Sequence, residues 1–332
     1  MIRHLARRSL IALAALGASA FAGSAAAQSA LETLIPGKQL RLVVPYPPGG
    51  TNDVLARLLA EHVPGQAGVS IVVDNRPGAN GSIGTELVAR AAPDGRTVLL
   101  TGQATHSANP YLVANLGYRP LQDFAPIAML GTVTNVLVVH PALPVSSVAE
   151  FVAYAKTNPG KVNFSHAGVG SSMSLAAELF KVHAGVDLTS IPYKGTGPAV
   201  TAVLAGEVQC MFPNTLAVLS HIKAGKLKAL GVTSSAEDPQ LPGVQPIARQ
   251  TGGSYVLNTW FGLFAPAKTP NRVVEALNGE VNRMFERPDM KNRLTALGIV
   301  PEPMTPAAFA DYVRRDNEAI GSLIRSANLK AD

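Results

Sequence analysis

Apolar and polar positions fall into a repeating strand–helix pattern along most of the chain. Leu40 to Pro45 is a short, β-branched apolar run that predicts a strand and ends in Pro-Tyr-Pro-Pro-Gly-Gly. Asn52 to Val63 then places Val54, Leu55, Leu58 and Leu59 on one helical stripe, with Thr51 or Asn52 as the expected N-cap. Ser70 to Val73 reads as a strand and Ser82 to Ala91 as a helix with Ile83, Leu87 and Val88 facing inward. Thr97 to Thr101 reads as a third strand, introduced by the turn Pro93-Asp94-Gly95. This β-α-β-α-β order predicts a parallel sheet with helices packed on it.

The pattern restarts further on. Strands are expected at Val136 to Val139, Val162 to Ser165, Thr189 to Pro192, Val208 to Phe212 and Leu227 to Thr233. Helices are expected at Val148 to Lys156, Ser172 to His183, Pro198 to Ala205 and Leu216 to Ala224. The tail from Pro270 to Leu329 is mostly helical, with caps expected near Thr269 and Thr305. Two α/β lobes account for this order. The tail must pack somewhere, so the first lobe is expected to be discontinuous, residues 29–130 plus 256–332, with 131–255 as the second lobe. The chain then crosses twice, near Leu130 to Thr134 and near Tyr255 to Trp260, which makes a hinge. Trp260 is expected to serve core or hinge packing.

Ahead of the first strand, Leu10 to Phe21 is apolar apart from small residues, stands behind Arg3, His4, Arg7 and Arg8, and precedes Ala25-Ala26-Ala27. That arrangement predicts a cleaved export signal over 1–27, because the run is shorter than the roughly 20 residues a spanning helix needs. The mature chain is expected to start near Gln28 and to work in the periplasm. Arg7-Arg8 leaves twin-arginine export open beside the general route.

Charge changes little once the signal is set aside. The chain has 28 Lys plus Arg against 22 Asp plus Glu, and residues 1–27 contain Arg3, Arg7 and Arg8 but no acid. The remainder is close to balanced, which argues against a nucleic-acid footprint. With 15% charged and 47% hydrophobic residues, the composition rules out disorder. A lone Cys210 excludes an intrachain disulfide framework and a multi-cysteine metal site.

Enzyme signatures are missing. Asn80-Gly81-Ser82-Ile83-Gly84 approaches a nucleophile elbow but has Asn where the first Gly belongs. There is no P-loop, and the histidines lack the spacing of a zinc pair. Gly168-Val169-Gly170-Ser171-Ser172-Met173 has Met173 in place of the third glycine of a dinucleotide fingerprint, and Asp187 precedes the next strand. No cofactor or metal is therefore expected.

What recurs is a glycine-led helix start after a strand. Pro47 to Asn52, Ala167 to Ser172 and Lys194-Gly195-Thr196-Gly197-Pro198 each open a helix at the carboxyl edge of a sheet, where backbone N–H groups attract an anion. With Thr51, Ser165, Ser171, Ser172 and Thr196 as neighbouring hydroxyls, such a cleft suits a carboxylate. Asp53 is either a first-turn acid that complements the helix dipole or a ligand contact. Lys194 is either a cation for an anionic ligand or a solvated loop residue. His106 and His166, at strand ends, either donate to a ligand or serve structure.

Val44-Pro45-Tyr46-Pro47-Pro48-Gly49-Gly50 with Asp53-Val54-Leu55-Ala56-Arg57 resembles the opening of the Bug-type substrate-binding proteins of tripartite tricarboxylate transporters. The resemblance continues through Val73-Asp74-Asn75-Arg76-Pro77-Gly78-Ala79-Asn80-Gly81, Pro192-Tyr193-Lys194-Gly195 and Trp260-Phe261-Gly262-Leu263-Phe264-Ala265-Pro266-Ala267. It implies a two-lobed type II periplasmic binding-protein fold that closes on a small organic carboxylate, a dicarboxylate, an aromatic acid or a related acid. It also implies a monomer, not an enzyme, that delivers the ligand to integral-membrane permease subunits. An exported hydrolase-like enzyme with a site between the lobes is the alternative. Carried onto this chain, the ligand-binding candidates in the first lobe are Tyr46, Pro48, Gly49, Gly50, Thr51 and Asp53. The variable loop after the third strand adds Gln103, Thr105, His106 and Ser107. In the second lobe they are Ser165, His166, Ala167, Gly168, Gly170, Ser171 and Ser172, then Lys194, Gly195, Thr196 and Asn214. Asn214 is a departure, since the family often has Asp there, and it disfavours a ligand held through an ammonium group.

Overall fold

The computed structural model describes residues 30–35, 37, 39–63 and 68–329. The expected export signal and the start near Gln28 lie outside them. After a short helix α1 (Ala30–Leu34), the chain runs β1 (Gln39–Val44), α2 (Thr51–His62), β2 (Ser70–Asn75), α3 (Ser82–Ala89) and β3 (Thr97–Gly102). A π-helical turn (Ala104–Ala108) leads into α4 (Asn109–Leu112) and the long strand β4 (Phe124–Thr134). Next come β5 (Val136–Val139), α5 (Val148–Thr157), β6 (Asn163–His166), α6 (Ser172–Ala184), β7 (Thr189–Pro192) and α7 (Thr196–Leu204). They are followed by β8 (Cys210–Met211), α8 (Thr215–Lys223), β9 (Lys228–Val232) and α9 (Ile247–Thr251). The last elements are β10 (Asn258–Pro266), α10 (Asn271–Glu286), α11 (Pro288–Ala296), β11 (Ile299–Val300) and α12 (Pro306–Ser326). No described helix is long and apolar enough to cross a membrane.

These strands make two sheets, a six-stranded one in the order β11-β4-β10-β3-β1-β2 and a five-stranded one in the order β7-β6-β8-β5-β9. In the first, β1 is parallel to both β2 and β3, while β10 is antiparallel to β3 and β4. In the second, β6 is parallel to both β7 and β8. The loops that follow β1, β2 and β3 therefore share one sheet edge, and those that follow β6, β7 and β8 share another.

The long strands β4 and β10 are absent from the pattern reading. Both are buried along almost their whole length, so period-2 alternation gives no signal. Register shifts beside Phe261/Gly262 and Leu263/Phe264 break the pattern further. Three other expectations need correction. Ile83 is 56% exposed, not inward. Helix α3 approaches β1 at Gly84, where an added Cβ would lie 2.7 Å from Arg76 O and 2.9 Å from Pro45 Cα. That close approach turns Gly84, Thr85 and Val88 inward and Ile83 out. The N-cap of α2 is Gly50, in extended conformation and without a side-chain bond, so neither Thr51 nor Asn52 caps it. The N-cap of α10 is Pro270, and Thr269 Oγ1 has no partner. Thr305 does cap α12, accepting Ala308 N–H at 3.2 Å.

The chain links between the sheets run side by side. Thr134, the last residue of β4, pairs with Asn258, the first of β10. Between them lies Asn135, fully buried. Its amide donates to Phe212 O at 2.6 Å, and its Oδ1 accepts from Thr259 Oγ1 and Asn214 Nδ2, each at 3.0 Å. The C-terminal helix α12 also touches both cores. Phe309 and Val313 pack with Trp260 and Phe264, whereas Ile320 and Ile324 belong with Leu137, Phe164 and Phe180.

Candidate functional site

The two loop-bearing edges face one another. Gly170, after β6, sits against the segments that follow β2 and β3: a Cβ there would lie 2.5 Å from Leu112, 3.5 Å from Asn80 and 3.6 Å from Ala108. Its φ of +80° also favours glycine. Between these edges the helix starts present unused backbone donors. Helix α2 has no side-chain cap and its first backbone bond runs from Val54 N–H to Gly50 O, which leaves the N–H groups of Thr51, Asn52 and Asp53 without protein partners. Helices α7 and α8 start at Gly195 and Asn214, again without a side-chain cap. Such starts carry positive partial charge and attract anions.

Asp53 is committed to the protein. Its carboxylate accepts from Gly49 N–H at 2.9 Å, from Arg57 in a bidentate pair at 2.9 and 3.0 Å, and from Asn75 Nδ2 at 3.0 Å. Burial works against its charge, but Arg57, Gly49 and Asn75 outweigh that and hold its carboxyl below the usual range. Asn75 also donates to Tyr46 O at 3.1 Å. Asp53 and Asn75 thus pin the Tyr46–Gly49 turn, whose residues Pro48, Gly49 and Gly50 are exposed. Tyr46 points its hydroxyl inward to Thr101, and burial pushes its pKa up.

At the edge of the five-stranded sheet, Ser171 caps α6 by accepting Ser174 N–H at 3.3 Å, and Ser174 Oγ accepts Gly170 N–H at 2.9 Å. His166 braces the same loop. Gly168 N–H donates to its Nδ1 at 3.1 Å, so the ring proton resides on Nε2, which donates to Ser190 Oγ at 2.7 Å. Burial lowers the pKa of this imidazole. Ser165 is fully buried and donates to Ala199 O at 2.9 Å. Ala167, Gly168 and Ser172 are half-buried in this turn, Lys194 is exposed, and Gly195 and Thr196 are half-buried beside it. Asn214 places its amide in the Asn135–Thr259 cluster at the crossing.

The loop after β3, read as a variable loop with ligand-binding candidates, lies deep. Gln103, Thr105, His106 and Ser107 are each 3% exposed or less. His106 stacks on Phe264 with ring centroids 4.0 Å apart, and Thr105 Oγ1 lies 3.0 Å from its Nδ1. Burial pushes its pKa down to about 3. The structural reading of His106 is the one its packing supports. Asn80, overlooked in the sequence, has a left-handed φ of +49° that Asn tolerates. Its amide donates to Asn109 Oδ1 at 3.0 Å, and Asn109 returns a bond to Asn80 O at 3.1 Å. The turn signal Pro77-Gly78-Ala79-Asn80-Gly81 marks the place without showing that partner.

Residues 55–329 match the family described as "Tripartite tricarboxylate transporter family receptor". The chain belongs to that receptor family. Protein BugT of Bordetella pertussis is 35% identical over 94% of this chain and 95% of its own. Among solved structures, R. palustris Rpa4515 with adipate superposes with a TM-score of 0.82 at 33% identity, covering 88% of this chain and 98% of that one. MatC from Rhodopseudomonas palustris with bound malate gives 0.78 at 34% identity, covering 87% and 100%. The two sheets are thus the lobes of a type II periplasmic binding-protein fold, and the receptor family's Bug branch was visible in the Pro-Gly-Gly and Arg-Pro-Gly motifs.

Proposed function

We propose that this receptor binds a small organic carboxylate between its lobes, in the periplasm, and hands it to the membrane subunits of a tripartite transporter. The observation that carries this reading is the set of uncapped helix starts at α2, α7 and α8, on facing sheet edges. A carboxylate offers acceptors to match those donors, and its charge complements the helix dipoles. The adipate and malate of Rpa4515 and MatC support the same ligand class. We assign residues 29–130 plus 256–332 to one lobe and 131–255 to the other, with the ligand contacting the Pro48–Thr51 and Ala167–Ser172 turns. Receptor activity, and not hydrolysis, fits the state of His166, whose Nε2 carries a proton and faces Ser190 as a donor. In that tautomer it cannot accept a serine proton.

Thermal-shift screening of the mature protein against mono-, di- and aromatic carboxylates tests the proposal. A ligand at about 100 times its dissociation constant adds about 2.7 kcal/mol, so at least one acid should raise the melting temperature and be recovered intact. A panel without a single shift, or turnover of the stabilising acid, overturns the reading.

A further inference from the structure

The loop after β3 is held from an unexpected side. Asp316, on the C-terminal helix α12, accepts three hydrogen bonds: from Gln103 Nε2 at 3.1 Å on Oδ1, and from Ser107 Oγ at 2.5 Å and Trp260 Nε1 at 2.7 Å on Oδ2. The next residue, Asn317, donates to His106 O at 2.6 Å and accepts from Tyr111 OH at 2.8 Å. A π-helical turn is rare and is frequently found at functional sites. Here the turn is completed by α12.

The consequence falls on Gln103. Burial raises the Asp316 pKa, but Ser107, Trp260 and Gln103 all donate to its carboxyl, and that carboxyl and Asn258 O at 3.4 Å, which only accepts, converge on the Gln103 nitrogen. The amide orientation is therefore fixed, with Nε2 inward. Gln103 Oε1 is left buried and without a hydrogen-bond partner. An amide oxygen in that state is destabilising until a donor reaches it. Gln103 itself follows β3, at the same sheet edge as the Tyr46–Thr51 turn.

We infer that Gln103 Oε1 is a specificity contact that accepts a hydroxyl of the ligand, with Asp316 as the residue that positions it. The inference rests on the carboxylate-receptor reading above and narrows it to hydroxy acids. The unused helix-start donors take the carboxylate, and they have nothing to offer a hydroxyl proton. Gln103 supplies the missing acceptor. A site built to pair a hydroxyl discriminates against the analogue that lacks it, because the buried acceptor is then left empty.

Calorimetry with matched acids tests this: malate against succinate, lactate against propionate, and 3-hydroxybutyrate against butyrate. The wild-type protein should prefer the hydroxy member of the pair it binds by about tenfold or more. Gln103→Leu should erase that preference while leaving the affinity for the plain acid within a few fold. Asp316→Asn should do the same by a different route. Its new amide group would face the Gln103 amide, turn it over and present a donor in place of the acceptor, so the ratio should fall while the protein stays folded. Binding of acids with no hydroxyl preference overturns this inference and leaves the receptor reading intact. So does a preference that survives both substitutions. No binding by any acid of this or the wider panel removes both.

Discussion

Asp53 accepts the backbone N–H of Gly49 across the turn that opens α2, at 2.9 Å. Asp53 is the first-turn acid of α2 and at the same time the brace of the turn before it. Asp53→Ala removes that bond together with those from Arg57 and Asn75. With the exposed Arg57 pair discounted, the loss should be about 2–3 kcal/mol at pH 7. The folded pKa lies below the unfolded value of about 3.9. The contribution is therefore present above that value and disappears as pH falls through the folded one. Urea unfolding of both proteins at pH 7 and at pH 3 should show the gap narrowing in acid.

Gly50 and Ser171 separate backbone approach from side-chain chemistry. At Gly50 the φ of −79° suits any residue, and an added Cβ meets nothing closer than Pro47 O at 3.9 Å. Gly50→Val should therefore fold normally and yet weaken carboxylate binding by more than 100-fold, because its methyl groups cover the α2 donors. Ser171→Ala loses the α6 cap and about 1 kcal/mol of stability, with binding weakened about tenfold. Calorimetry beside thermal denaturation distinguishes the two patterns. The reverse order of affinities would contradict a backbone-led site.

His106 should dominate the upper part of the acid limb of stability. Its folded pKa is pushed down to about 3 by burial, whereas an unfolded histidine titrates near 6.5. The unfolded chain therefore takes up a proton that the folded one refuses. Stability is present above about 6.5 and falls by about 1.4 kcal/mol per pH unit below it, for this one group. His106→Phe should keep the stacking on Phe264 and flatten the profile between pH 6.5 and 4.5. Denaturation midpoints across that range decide it.

Asn135 ties the two crossings together at 2.6 Å to Phe212 O and 3.0 Å to Thr259 and Asn214. Asn135→Ala takes the amide donor from the buried Phe212 O and leaves Asn214 Nδ2 and Thr259 Oγ1 only each other, at 3.2 Å, which should cost about 2–4 kcal/mol. The wild-type radius of gyration should fall when a binding carboxylate saturates the protein, since closure brings donors from both lobes to one ligand. Small-angle scattering checks it, and an unchanged radius would indicate a rigid pocket.

How much of this was legible depends on how far each signal reaches. Helix α2 announces itself through Leu55, Leu58 and Leu59, because it buries one face, whereas α6, buried all round from Met173 to Glu178, is marked by the glycine-led turn before it. Strands β4 and β10 are buried along almost their whole length and carry no alternation, so they escape a periodicity argument. Ile83 misleads for a related reason: the helix face was decided by a glycine, which leaves no hydrophobic mark. The glycine-led turns follow parallel strands, as their sequence pattern implied. The roles of Asp53 and His166 in them were not legible, since Asn75 and Ser190 lie 22 and 24 residues away from those partners. Asp316 is further still, 213 residues from Gln103, and only the folded chain joins them.

Trp260 is the only tryptophan in the sequence. Its indole N–H shares the Asp316 Oδ2 atom with Ser107, one residue before the turn ends. Any ligand that shifts that turn alters the polarity around the single strong fluorophore of the chain. The protein thus carries an intrinsic optical probe for occupancy of its cleft. Emission near the red edge of excitation, read in a stopped-flow instrument without a label, should follow binding and closure as separable phases.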